Sequence, residues 1–130
     1  MSAPVDEPSL DDMQSMARAE FAALPEEFRA LTGDIIFVLA EEPDAATLQQ
    51  LGLSRTSQLL GVYRGAPLAA RLANLAGAEP SMIFLFRRAI LHYAKMQELA
   101  LAAVLRHVLI HEIGHYFGLS DETMGRLSAE

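Results

Sequence analysis

His111, Glu112 and His115 are the residues of this chain whose types and spacing point most directly to chemistry. They stand in the run His111-Glu112-Ile113-Gly114-His115-Tyr116-Phe117-Gly118-Leu119-Ser120-Asp121, which reads H-E-x-x-H-x-x-G-x-x-D. On a helix, positions four apart are offset by about 40° and rise about 6 Å, so His111 and His115 face the same way. Two imidazoles so placed can share one Zn²⁺ through bonds of about 2.0–2.1 Å. Glu112, beside the first histidine, is placed to take a proton from a water on that ion, the general-base task of metal-assisted hydrolysis. Gly118 falls where a left-handed residue would end the helix. The chain can then fold back and bring Asp121 to the open side, making three protein ligands and leaving one position for water. Glu122 and a second water compete with Asp121 for that third place, and the plainer role of Asp121 is to cap the helix that follows.

Other candidates are weaker. His107 lies one turn before His111 on the same face. It is eight residues from His115, about 12 Å along the axis, so one ion cannot take both. It reads as an outer neighbour of the site or a surface residue, and His92 as an exposed or helix-end histidine. Tyr63, Tyr93 and Tyr116 carry phenols able to donate to an oxyanion, although packing is the plainer use of each. Met124 reads as ordinary core. The E-x-x-H half of the motif also occurs in di-iron helix bundles, but those need a second copy, which this chain lacks. The chain has no cysteine and no G-x-S-x-G segment, which removes thiol nucleophiles and the serine elbow.

The host helix must position this chemistry. Residues 98–117 are apolar nearly all round, through Leu99, Leu101, Val104, Leu105, Val108, Leu109, Ile110 and Ile113. That pattern predicts a long, buried central helix, in which two histidines and a glutamate have no good apolar explanation. Residues 35–39 form an apolar, β-branched run that fits a strand buried on both faces. Residues 82–86 read as a second strand, and 59–63 as a weaker one bounded by Gly61 and Gly65. Ser9 can cap a helix over residues 10–23, with Asp11 and Asp12 in its first turn and Met13, Met16, Ala17, Phe21 and Leu24 at helical spacing. Short helices are expected after Pro25 up to Gly33, over 45–51 up to Gly52, and over 121–127. Residues 89–94 fit a helix or turn, and 69–78 a helix or a loop.

With 130 residues and 52% hydrophobic content, the chain has room for one domain and a real core. We expect a loose tail over 1–8 and a domain over 9–130. The net charge is −7, which argues against non-specific binding to nucleic acid. Residues 1–44 hold eleven acids and two bases, whereas 55–106 hold seven bases and two acids. Either the acidic part packs against the basic part or the two are solvated faces of opposite sign. No apolar run is long enough for a membrane span, and the first residues show no leader pattern, so a cytoplasmic protein is expected.

The motif resembles that of the zincin superfamily, and its Gly118 and Asp121 extension is similar to the metzincin pattern, with Asp where most members carry a third His, as in snapalysin-like proteases. The likeness is closest to small, single-domain bacterial zincin-like metallopeptidases, through Gly61 to Leu68 (Gly-Val-Tyr-x-Gly-x-Pro-Leu) and Ile83 to Arg87 (Ile-x-Leu-Phe-Arg), and it spans roughly residues 20–127. Too few residues follow Asp121 for the separate methionine turn of metzincins proper. The resemblance implies an α+β fold, a minimal zincin-like domain with a small mixed sheet packed on a long buried active-site helix and the N-terminal helix over one side. It implies a Zn²⁺ cofactor on His111, His115 and Asp121, Glu112 as general base, and a peptide or protein as substrate. It also implies a rim strand that pairs with extended substrate, for which Ile83, Phe84 and Leu85 are the candidates. The rival reading is a non-catalytic or degenerate zincin fold that binds a peptide or protein along the same strand edge.

Overall fold

The computed structural model describes residues 7–50, 52, 59–65 and 80–129. In chain order these hold α1 (Leu10–Ala22), α2 (Glu26–Thr32), β1 (Ile35–Ala40), α3 (Ala45–Gln50), β2 (Gly61–Arg64), β3 (Ser81–Phe86), α4 (Arg87–Gln97), α5 (Leu101–Tyr116) and α6 (Asp121–Ala129). The domain is α+β, with a small mixed sheet against helices. Residues 69–78, read as helix or loop, lie outside the described residues, as do residues 1–6 of the expected tail.

α1 begins as its sequence dictates. The Ser9 hydroxyl accepts from the Asp12 amide at 3.0 Å, and the Asp12 carboxylate accepts from the Ser9 amide at 3.3 Å. This reciprocal capping box satisfies two amides that the helix itself leaves unpaired. Met13 and Ala17 are buried against the core.

The sheet order is β1-β3-β2, with β1 parallel and β2 antiparallel to β3. Register places Phe37, Ile83 and Tyr63 in one row across the sheet. All three belong to the buried core with Leu85, Val104, Leu105, Val108, Leu109, Ile110 and Ile113. The Tyr63 hydroxyl donates to Ser81 Oγ at 2.9 Å, and Ser81 Oγ donates to the Thr32 carbonyl at 2.9 Å. This buried relay joins β2, β3 and the end of α2 without leaving a polar atom stranded.

Two expectations about the strands are corrected. β1 is not buried on both faces, because it is an edge strand whose side chains alternate: Phe37 points into the core and Ile36 is 48% exposed. Its outer edge is partly closed by Gln14 of α1, whose Nε2 donates to the Phe37 carbonyl at 2.9 Å. The second correction concerns β3. It is the middle strand, bonded to β1 on one side and β2 on the other. Ile83 and Leu85 are fully buried and Phe84 half-buried, so this strand has no open edge to offer a substrate or partner.

The expected helix over 98–117 is α5, which begins three residues later, at Leu101, and ends at Tyr116. α4 runs through Gln97 and stops at Glu98, which takes a left-handed backbone with φ 54°. The Glu98 amide donates to the Lys95 carbonyl at 3.2 Å and the Leu99 amide to the Ala94 carbonyl at 2.9 Å. These two bonds are the closing pair of a helix end that ordinarily uses glycine. A left-handed β-carbon costs roughly 1–2 kcal/mol. Glu98→Gly is therefore expected to stabilise the protein by up to about 1 kcal/mol, read from the midpoint of urea unfolding at constant slope.

The charge asymmetry has a structural use. Arg87, at the start of α4, pairs with Glu41 at 2.9 Å and Glu7 at 3.9 Å, and its Nε donates to the Pro8 carbonyl at 2.7 Å. Arg88 lies 3.6 Å from Glu42. Acids of the first third thus meet bases of the middle. Only Arg87, whose side chain is 18% exposed, is sheltered enough for its pairs to matter appreciably.

Candidate metal centre

α5 carries the motif. Val104, Leu105, Val108, Leu109, Ile110, Ile113 and Gly114 are buried, while Arg106, His107, His111 and Glu112 are half-buried and His115 is exposed. Buried positions occur all round its axis, and the chemistry lies where His107, His111 and His115 break that apolar cover. The expectation of a central helix apolar nearly all round holds.

Its C-terminal end shapes the site. Gly118 has φ +76°, its amide donates to the His115 carbonyl at 3.1 Å, and the Leu119 amide donates to the Gly114 carbonyl at 2.9 Å. This is a Schellman ending, for which glycine is the favoured residue. The chain reverses at once into α6. Ser120, not Asp121, caps α6: its Oγ accepts from the Thr123 amide at 3.1 Å and its carbonyl from the Met124 amide at 3.0 Å. Asp121 stands in the first turn, where a carboxylate suits the helix dipole.

α6 is pinned to α5 at two further points. Met124 is fully buried, and a β-carbon on Gly114 would lie 2.6 Å from its sulfur. Gly114 is thus the close-approach residue that lets Met124 of α6 seat against α5. Further along, Arg106 donates from Nε at 3.2 Å and from Nη2 at 3.0 Å to the Leu127 carbonyl. Met124 is core, as expected.

The histidine rings of the motif meet edge-on. Those of His111 and His115 have centres 5.6 Å apart at 75°. Imidazoles bound to one tetrahedral zinc through bonds of about 2.0–2.1 Å hold their centres roughly 5 Å apart, so the pair fits an ion with little adjustment. Burial, followed by neighbouring His107 and His115, holds the His111 imidazole below its usual range, while the Asp121 carboxylate acts the other way. A depressed pKa keeps this nitrogen free for a metal at neutral pH. Asp121 is therefore within electrostatic reach of His111. Among the described residues, no group of three His, Asp or Glu side chains is drawn together closely enough to hold an ion as it stands. The structure brings His111, Glu112 and His115 together and leaves the Asp121 carboxylate near but not closed on them.

Glu112 is half-buried, and burial pushes its carboxyl above the usual range, with His115 opposing the rise. A carboxylate raised in this way is a better proton acceptor near neutral pH. The aromatic residues mostly pack. Tyr63 and Tyr116 meet edge-on at 4.8 Å, and the Tyr116 hydroxyl donates to the Gly65 carbonyl at 2.6 Å, which commits that phenol to joining α5 to the end of β2. Tyr93 packs against the core and His92 is exposed. A groove of about 280 Å³ between α2 and α6 is lined by Pro25, Phe28, Leu31 and Leu119 among others, and none of the three motif residues lines it.

A helix bearing H-E-x-x-H, closed by glycine and packed under a small mixed sheet, defines a zincin-like α+β domain. Residues 32–130 match the zincin-like metallopeptidase family, and the chain belongs to it. The match starts at the last residue of α2, so α1 lies before it. No curated protein matches the chain. Membership points to zinc-dependent peptidase activity. No helix among the described residues is long and apolar enough to cross a membrane.

Proposed function

We propose that this domain hydrolyses peptide bonds, with His111, His115 and Asp121 holding Zn²⁺ and Glu112 as general base. The observation that carries the reading is the histidine pair of α5, whose two imidazoles lie at a spacing suited to one ion beside a half-buried carboxylate. A bound zinc would supply a water of pKa about 7 and polarise the scissile carbonyl. Glu112 would take a proton from the attacking water and hand it to the leaving amine, a task its desolvated carboxylate suits. The third ligand would come from α6, whose first turn holds Asp121 near His111.

The partner-binding alternative loses its docking edge, since both edges of β3 are occupied. Substrate, in our reading a peptide or protein, would have to lie elsewhere than along Ile83–Leu85. Metal content tests the proposal. Protein purified without chelators is expected to carry about one zinc per chain by mass spectrometry, and His111→Ala to lose it. A wild-type chain that takes up no zinc, even when it is added back, would end the proposal.

A further inference from the structure

His107 touches the site without being able to ligate the same ion as His115. Its ring centre lies 4.1 Å from that of His111, at 35°. That is nearer and flatter than the 5.6 Å and 75° between His111 and His115. Co-ligands of one zinc splay their rings roughly 5 Å apart, whereas rings at this shorter distance and lower tilt pack against each other. The contact is ring against ring, and no hydrogen bond joins the two imidazoles. His107 also sits one turn N-terminal to His111, the side toward which helical side chains lean. His111 therefore rests back on His107 while meeting His115 edge-on.

We propose that His107 is a positioning residue for His111, its ring holding His111 in the rotamer that shares an ion with His115. The inference rests on reading His111 and His115 as metal ligands. Its physical basis is preorganisation. His111 is only half-buried, so core packing on the far side of α5 does not choose its rotamer. Helical side chains divide between two staggered χ1 wells, and only neighbours on the same face can select one. His107, four residues back and itself half-buried, is placed to do so. Without that ring, binding an ion would first have to order His111. Outer partners of this kind typically change metal affinity 10–100-fold when removed.

The tilted ring-on-ring contact predicts what can replace His107. A flat ring without nitrogens should serve, whereas a polar side chain without a ring should not. The test compares wild type with His107→Ala, His107→Phe and His107→Gln. Zinc affinity is measured by chelator competition, the visible spectrum is recorded with Co²⁺ in place of Zn²⁺, and ¹³C relaxation of the His111 imidazole is measured in metal-free protein. His107→Ala is expected to weaken zinc binding about 10–100-fold, to alter the Co²⁺ spectrum and to loosen the His111 ring. His107→Phe is expected to restore all three, and His107→Gln none. Unchanged zinc affinity and ring order in His107→Ala would overturn the inference. So would restoration by Gln and not by Phe, which would assign the effect to a hydrogen bond. If the wild type binds neither metal, the metal reading fails, and ring order in the metal-free proteins alone decides the role of His107.

Discussion

Replacing Glu112 by Gln is expected to lower peptide turnover by about 10²–10⁴-fold while the protein keeps its metal. The substitution preserves size and shape and removes one thing, a carboxylate able to accept a proton. His111 and His115 stay on the same face of α5 with their rings 5.6 Å apart, so the metal-binding groups are untouched. A second effect follows from burial. Glu112 is raised above its ordinary range, chiefly by desolvation. A carboxyl raised in the folded state contributes most below its unfolded pKa, and that contribution is lost as pH rises through the folded value. Gln does not titrate. Metal-free Glu112→Gln is therefore expected to be somewhat more stable than wild type at pH 7, with the advantage vanishing as the pH falls through the carboxylate range. Turnover of a mixed peptide substrate, zinc content and urea unfolding at pH 4 and pH 7 read the three consequences. Unchanged turnover would remove Glu112 from the mechanism, and loss of zinc would make it a ligand instead.

The same contrast between local pattern and tertiary placement runs through the fold. Features governed by a few neighbouring residues are legible: the Ser9 cap, the left-handed Gly118, and the shared face of His111 and His115. Each follows from backbone geometry within one or two turns. Features set by distant packing are not. The left-handed turn at Glu98, which delays the start of α5 to Leu101, is invisible because its residue is neither Gly nor Asn. The place of β3 between β1 and β2 is equally hidden, since a short apolar run reads the same at an edge as in the middle. Ser120 was overlooked as a cap because Asp121 beside it is an equally good one by type. Spacing puts His107 on the face of His111, but spacing alone does not show that its ring packs against that of His111.

That misassigned cap makes the second large effect testable with little ambiguity. Asp121→Ala is expected to weaken zinc binding by at least about 100-fold, beyond the 10–100-fold typical of outer partners. If Asp121 were the cap of α6, the same substitution would unravel the helix and any loss of metal would be indirect. Ser120 holds that role, through its hydroxyl on the Thr123 amide and its carbonyl on the Met124 amide. Met124 against Gly114 and Arg106 on the Leu127 carbonyl tie α6 down further along. Asp121→Ala should therefore cost only the favourable meeting of a carboxylate with the helix dipole, about 0.3–1 kcal/mol. Ser120→Ala should do the reverse, lowering stability by about 1 kcal/mol through the lost cap while zinc binds within a few-fold of normal. Glu122→Ala separates the two neighbouring carboxylates. Glu122 faces Arg126 at 4.0 Å, an exposed pair of little weight, so its removal should leave both stability and metal largely as they were. Chelator competition and urea unfolding on the three variants give a pattern of losses specific to each role. Strong zinc binding in Asp121→Ala, with loss in Glu122→Ala, would transfer the third ligand by one residue. Normal binding in both would leave the site with two histidines and water, and with it a weaker hold on the metal than the proposed mechanism requires.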